Sequence, residues 1–281
     1  MTETSTRDAL VLSQSGLDAY HRCCRRYHLS YMQQLQWPAP LTDSELKFER
    51  SLRRGQDFHR LVHQHQLGLD VERLVSRSAD PVLVSWWQRY LQFGPQGMPA
   101  GTVHSELEIS AALGPHQLVA KFDRLVLGDD GSLVIVDWKT GNHRVPIEQL
   151  RNTWQTVVYC YVATEASSGL VGGVAVPPEQ VRLIYWHAVD PSDPDVFDYS
   201  TAQHEAGCDR LTAALEKLHS LPREAEAYPR TDDQRECRHC IYRSYCDRPR
   251  DPVPYSEAHD EIGDDDVDTA VCEIPEADGM P

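Results

Sequence analysis

The chain has 281 residues with 27 basic and 43 acidic side chains, a formal net charge of −16 and 41% hydrophobic residues. That length suffices for one good core, a single domain with an elaborated helical region. No apolar run reaches a membrane span, and the polar start has no apolar core of a secretory signal, so a cytoplasmic protein without a membrane role is expected.

The charge is unevenly placed. Residues 251–281 hold eleven of the acids and no Lys or Arg, which leaves 27 basic and 32 acidic side chains, a balance of −5, on the remainder. Lacking periodicity and large apolar residues, 251–281 reads as a disordered acidic tail behind a single domain over 1–250.

In chain order, the pattern predicts a helix over Leu12 to Gln34 that starts near Ser13 or Ser15, and a break at Pro38 and Pro40. Helices follow over Ser44 to Leu67 and Pro81 to Phe93. Val103 to Ala111, Gln117 to Leu127 and Leu133 to Trp138 read as a meander. Pro146 to Ala163 is a helix, Gln180 to Ala188 a strand, Thr201 to Leu218 a helix, and Pro222 to Pro249 a cysteine-bearing closure. Strands followed by a helix and another strand imply an α/β core.

The meander carries the chemistry. Asp137 and Lys139 are two residues apart at the end of an apolar strand, so they share one face. The loop Asp129-Asp130-Gly131 fits a three-residue hairpin with Gly131 left-handed. That register sets Gly128 against Ser132 and Asp123 against Asp137. A two-residue loop would send the two acids to opposite faces. Facing carboxylates repel in a low dielectric, and a divalent cation relieves the conflict. Oxygen ligands suit Mg²⁺ or Mn²⁺. A surface hairpin with a cross-strand ion pair is the plainer alternative. Glu106 and Glu108 lie upstream on a strand; either could be a further acid, and Glu106 is placed there.

Asp123 followed by Asp137-Trp138-Lys139-Thr140-Gly141 resembles the PD-(D/E)XK nuclease superfamily in its RecB-like exonuclease branch. Gly55-Gln56-Asp57-Phe58-His59 is similar to that branch's Gly-x-x-x-His helix, and Gln155-Thr156-Val157-Val158-Tyr159 to its Gln-x-x-x-Tyr motif. Ser13 to Tyr31, with Leu17, Tyr20, Cys23, Arg26 and Tyr27, resembles its N-terminal helix. The match runs from about Leu12 to Pro249. Cys24 stands where the family usually has proline, and Ala120-Lys121-Phe122-Asp123 replaces a Gly-x-x-Asp setting. The resemblance implies a restriction-endonuclease-like mixed sheet flanked by helices. It also implies His59, Asp123 and Asp137 as Mg²⁺ or Mn²⁺ ligands, Lys139 as a catalytic partner, and Gln155 and Tyr159 as DNA-binding residues. Taken singly, His59 has the histidines His63 and His65 close behind it, and Gln155 and Tyr159 fit ordinary helix packing. Trp86, Trp87 and Trp154 read as core rather than base-stacking platforms.

Of eight cysteines, Cys237-x-x-Cys240 with Cys246 reads as thiolate metal ligation in a reducing compartment. The resemblance supplies Cys23 as the fourth ligand, with Cys24 its rival, of a [4Fe-4S] cluster that ties the first helix to the last segment. Four thiolates also suit Zn²⁺. Arginines gather in three places: Arg22, Arg25 and Arg26; Arg50, Arg53 and Arg54; and Arg235, Arg238, Arg243, Arg248 and Arg250. A solvated helix surface is the plain reading of each. The expected function is a metal-dependent DNA nuclease, an exonuclease on single-stranded or end-containing DNA in repair, recombination or related processing. A helicase or other repair protein is a candidate partner. The alternatives are a non-catalytic DNA-binding or assembly subunit with the same fold and cluster, and a zinc-ribbon interaction protein. The acidic tail is expected to compete with DNA for the basic groove or to dock a partner.

Overall fold

The computed structural model describes residues 9–35, 43–141, 143–170, 172–237 and 240–248. The acidic segment 251–281 and the prolines Pro38 and Pro40 lie outside the described residues.

Six strands form one mixed sheet: β1 (Val11–Ser13), β2 (Gly101–Leu113), β3 (His116–Gly128), β4 (Leu133–Lys139), β5 (Val181–His187) and β6 (Asp195–Asp198). β2 runs antiparallel along β3 on one side. On its other side β3 pairs first with β1, in parallel, and then with β4, antiparallel. β5 is parallel to β4, and β6 closes the sheet antiparallel to β5. Every residue of β4 is buried, the signature of a strand covered on both faces.

Eight α-helices are described: α1 (Gln14–Arg22), α2 (Cys24–Tyr27), α3 (Asp43–Gln66), α4 (Glu72–Ser76), α5 (Pro81–Phe93), α6 (Ile147–Leu150), α7 (Trp154–Leu170) and α8 (Thr201–Ser220). Leu133, Ile135, Leu183 and Tyr185 pack with α1, α7 and α8 on one sheet face. Val134, Val136, Trp138 and Trp186 pack with α3 and α5 on the other. There Phe58 stacks on Trp186 at 5.8 Å. Trp86, Trp87 and Trp154 are buried, as core residues. No described helix is long and apolar enough to cross a membrane.

The hairpin between β3 and β4 takes the longer loop. Gly128 N–H donates to Ser132 O at 2.8 Å, and Leu127 pairs with Leu133. Gly131 has φ +85°, a conformation that a side chain would strain.

Four elements depart from the sequence pattern. The first helix breaks at Cys23, which is extended at φ −159°. Beyond it lie α2 and a π-helical turn, His28–Met32. The helix expected over Pro146 to Ala163 is two, because the Thr153 hydroxyl accepts from Thr156 N–H at 3.2 Å and starts α7 afresh. The short β6 and α4 carried too little periodicity to be read.

Candidate active site

The acids meet where the sheet is least regular. Across β2 and β3, Ser105 pairs with Arg124 and Leu107 with Phe122, which sets Glu106 and Asp123 opposite each other between those pairs. Glu106 has φ +55°, a left-handed conformation costing roughly 1 kcal/mol or more for a residue with a side chain. Along β3, Leu118, Ala120 and Phe122 pack into the same cluster as Leu125 and Leu127. The two-residue alternation therefore slips at Asp123–Arg124. A strained residue facing a slipped strand turns both carboxylates to one place, and no alternation rule would have predicted it.

On the other side of β3, Arg124 pairs with Val136. One further step of that register sets Asp123 against Asp137. Asp123 Oδ2 accepts from the Trp138 backbone N–H at 2.8 Å, so the carboxylate itself continues the ladder. Its Oδ1 lies 3.0 Å from His59 Nδ1, delivered from the middle of α3. His63 instead meets Ser105 Oγ at 3.0 Å, and His65 faces Tyr90. Ligand atoms of His59, Glu106 and Asp123 all lie within 4.8 Å of one another. Glu106 also pairs with Lys121 at 2.8 Å, while Glu108 is exposed.

Asp137 stands next to this group in a closed triangle. Its Oδ1 accepts from Gln155 Nε2 at 3.0 Å, and its Oδ2 lies 3.3 Å from Lys139 Nζ. Lys139 Nζ donates to Gln155 Oε1 at 2.6 Å and sits 5.0 Å above the Tyr185 ring. Asp137 is 4% and Lys139 6% exposed. Lys139 O accepts from Ala188 N–H, which fixes the strand end.

The charges are mutually adjusted. Burial works against the His59 imidazolium, but Asp123, by charge and hydrogen bond, then Asp137 and Glu106, raise His59 to about 9. Burial likewise opposes the Asp123 carboxylate, yet His59, the Trp138 N–H and Lys139 hold it below its ordinary value. Two carboxylates and an imidazole at one point, beside a third acid, are a donor set suited to an oxygen-preferring divalent cation. With its pKa raised to about 9, a protonated His59 balances part of their charge.

The sequence grouped His59, Asp123 and Asp137. The structure draws His59, Glu106 and Asp123 closest, with Asp137 alongside and engaged by Lys139 and Gln155. Gln155 reaches the site, but through Lys139 and Asp137. Tyr159, expected to face DNA, is 3% exposed, and its hydroxyl donates to Lys121 O at 2.7 Å. It braces β3 two residues before Asp123.

The cysteines lie apart from this site. Cys23, Cys237, Cys240 and Cys246 line one small cavity. Among the described residues no three of their sulfurs come within 4.8 Å of one another. Cys24 does not line it; its thiol points to Tyr20 O at 3.7 Å. The break at Cys23 leaves these neighbours in different surroundings. Independent contacts join the same two segments: Arg25 N–H donates to Pro229 O, Tyr242 hydroxyl to Leu35 O, and Ser30 hydroxyl to the Tyr242 oxygen.

A family model described as the PD-(D/E)XK nuclease superfamily matches residues 11–247. No curated protein matches the chain. Among solved structures, the chain is similar to a protein described as SSO0001, at 13% identity and TM-score 0.35, with 88% of each chain covered. It is also similar to an Eubacterium rectale protein described as a candidate exonuclease, at 10% identity and TM-score 0.46, over 93% of this chain and 99% of that one. The family model spans every element that builds the acid cluster, and on it this chain belongs to the PD-(D/E)XK nuclease superfamily.

Proposed function

We propose that the protein is a Mg²⁺- or Mn²⁺-dependent deoxyribonuclease, an exonuclease acting on single-stranded or end-containing DNA during repair, recombination or related processing. One observation carries the reading: His59, Glu106 and Asp123 converge within 4.8 Å beside the Asp137–Lys139 pair. His59, Glu106, Asp123 and Asp137 would hold the cation. Bound there, it supplies charge stabilisation for a phosphodiester and a lowered pKa for water.

The rest is done by the chain. Lys139 is buried and fixed by Gln155 and Asp137, so its ammonium is oriented before substrate arrives. It donates a hydrogen bond to the attacking water or to the scissile phosphate. Gln155 is a positioning residue for Lys139. To become a ligand, His59 would give up one ring proton. On α3, Arg53, Arg54 and Arg60 are paired with Glu49, Asp80 and Asp57. Those arginines are neutralised by their partners, and DNA affinity is expected to be modest and salt-sensitive.

The cavity formed by Cys23, Cys237, Cys240 and Cys246 is read as the seat of a [4Fe-4S] cluster. Four thiolates with Zn–S bonds near about 2.3 Å would also suit zinc; the cluster reading rests on the four cysteines that line the cavity. Anaerobic purification with iron and zinc analysis tests this point. Cleavage of end-labelled linear and closed circular single strands, with Mg²⁺, Mn²⁺ or EDTA, tests the rest. Wild-type activity in Asp123→Asn would refute the catalytic assignment, and cutting of the circle would refute the exonuclease mode.

A further inference from the structure

The cysteine cavity is lined by an excess of positive charge. Arg25, Arg26, Arg230, Arg243 and Arg248 share it with a single acid, Glu236. Two of these arginines are aimed by bonds of their own. Arg230 donates to the Cys246 carbonyl. Arg248 donates through Nη2 to Thr231 O at 2.5 Å and through Nη1 to Cys237 Sγ at 3.1 Å. An arginine anchored on a backbone oxygen, with its other fork arm on a sulfur, is held rather than swinging in solvent.

A thiolate-ligated iron–sulfur cluster is anionic, and it becomes one unit more negative on reduction. Hydrogen bonds to its sulfurs and nearby positive charge favour the reduced form. We propose that Arg248 is a positioning residue for this cluster: its hydrogen bond to Cys237, within a collar of arginines, makes the cluster easier to reduce and harder to lose. This rests on the iron–sulfur reading of the cavity. The step is a one-electron transfer from an external reductant to the cluster, with no bond made or broken in the protein. The cluster's redox state would then be able to alter the tie between the Cys23–α2 segment and the C-terminal closure, which meet at this cavity.

The experiment uses the full chain purified without oxygen, with dithionite as reductant. Arg248→Met should lower the reduction equilibrium constant roughly tenfold, about 59 mV for one electron, and speed cluster loss to an iron chelator. Arg248→Gln, which keeps a donor without the charge, should fall between. A measurement on the wild type needs no variant: exchange into D₂O should shift the iron–sulfur stretching bands in resonance Raman spectra if Arg248 N–H bonds a ligand sulfur. Iron present, with unchanged midpoints and no deuterium shift, overturns the role of Arg248 and leaves the cluster standing. Stoichiometric zinc with no iron overturns the cluster reading and this inference with it.

Discussion

Gln155→Ala separates two uses of one side chain. If Gln155 touches DNA, its loss weakens substrate binding and raises KM. The structure instead gives it two bonds inside the protein, accepting from Lys139 Nζ at 2.6 Å and donating to Asp137 Oδ1 at 3.0 Å. Hydrogen bonds to charged groups are worth about 1.5–3 kcal/mol each when removal leaves the partner unsatisfied. The direct Lys139–Asp137 contact survives, and Gln155 is half-buried, so water can enter the space. The low end therefore applies, about 3 kcal/mol for the two bonds together. Part of that falls on stability. The part that misorients Lys139 falls on the chemical step, and at 1.36 kcal/mol per decade it lowers kcat by roughly 10- to 100-fold. The assay is steady-state cleavage of a short single strand under saturating Mg²⁺, alongside urea unfolding. A kcat within twofold of wild type with a several-fold higher KM would refute the positioning argument and restore the DNA contact.

Other expectations follow from the same geometry. Glu106→Gln should weaken Mn²⁺ binding at least about tenfold in calorimetric titration; equal affinity would remove Glu106 from the ligand set. In the metal-free protein His59 is raised to about 9, so at pH 7.5 it carries a proton that a metal must displace. Binding should release about one proton per ion, seen as a buffer-dependent enthalpy, and should tighten as pH rises from 7 to 9. Without metal the sign for stability is opposite: the raised value contributes fully below about 6.5 and is lost as pH climbs through about 9. His28 behaves in reverse. It is 3% exposed with neither ring nitrogen bonded, and burial, then Arg25, hold its pKa below the ordinary value. Its unfolded form takes up a proton first, so stability should fall as pH drops below about 6.5. His28→Phe should remove that acid sensitivity and add about 1 kcal/mol at pH 5.5; an unchanged pH profile in urea unfolding would contradict it.

Much of this protein is legible in local patterns. The continuous apolar run of β4, the Asp–Asp–Gly loop and the two-residue step from Asp137 to Lys139 set the hairpin register, because backbone sterics at Gly131 and strand alternation are local rules. The helical positions of His59 and Gln155 follow from periodicity alone. The break at Cys23, the slip of β3 at Asp123 and the positive φ of Glu106 do not. Each is a local cost accepted because distant groups fix it: the closure segment at Cys23, and β2, α3 and the Trp138 N–H around Asp123. For that reason only the folded chain could turn the Glu106 carboxylate onto Asp123, turn Tyr159 inward as a brace, and give Gln155 to Lys139.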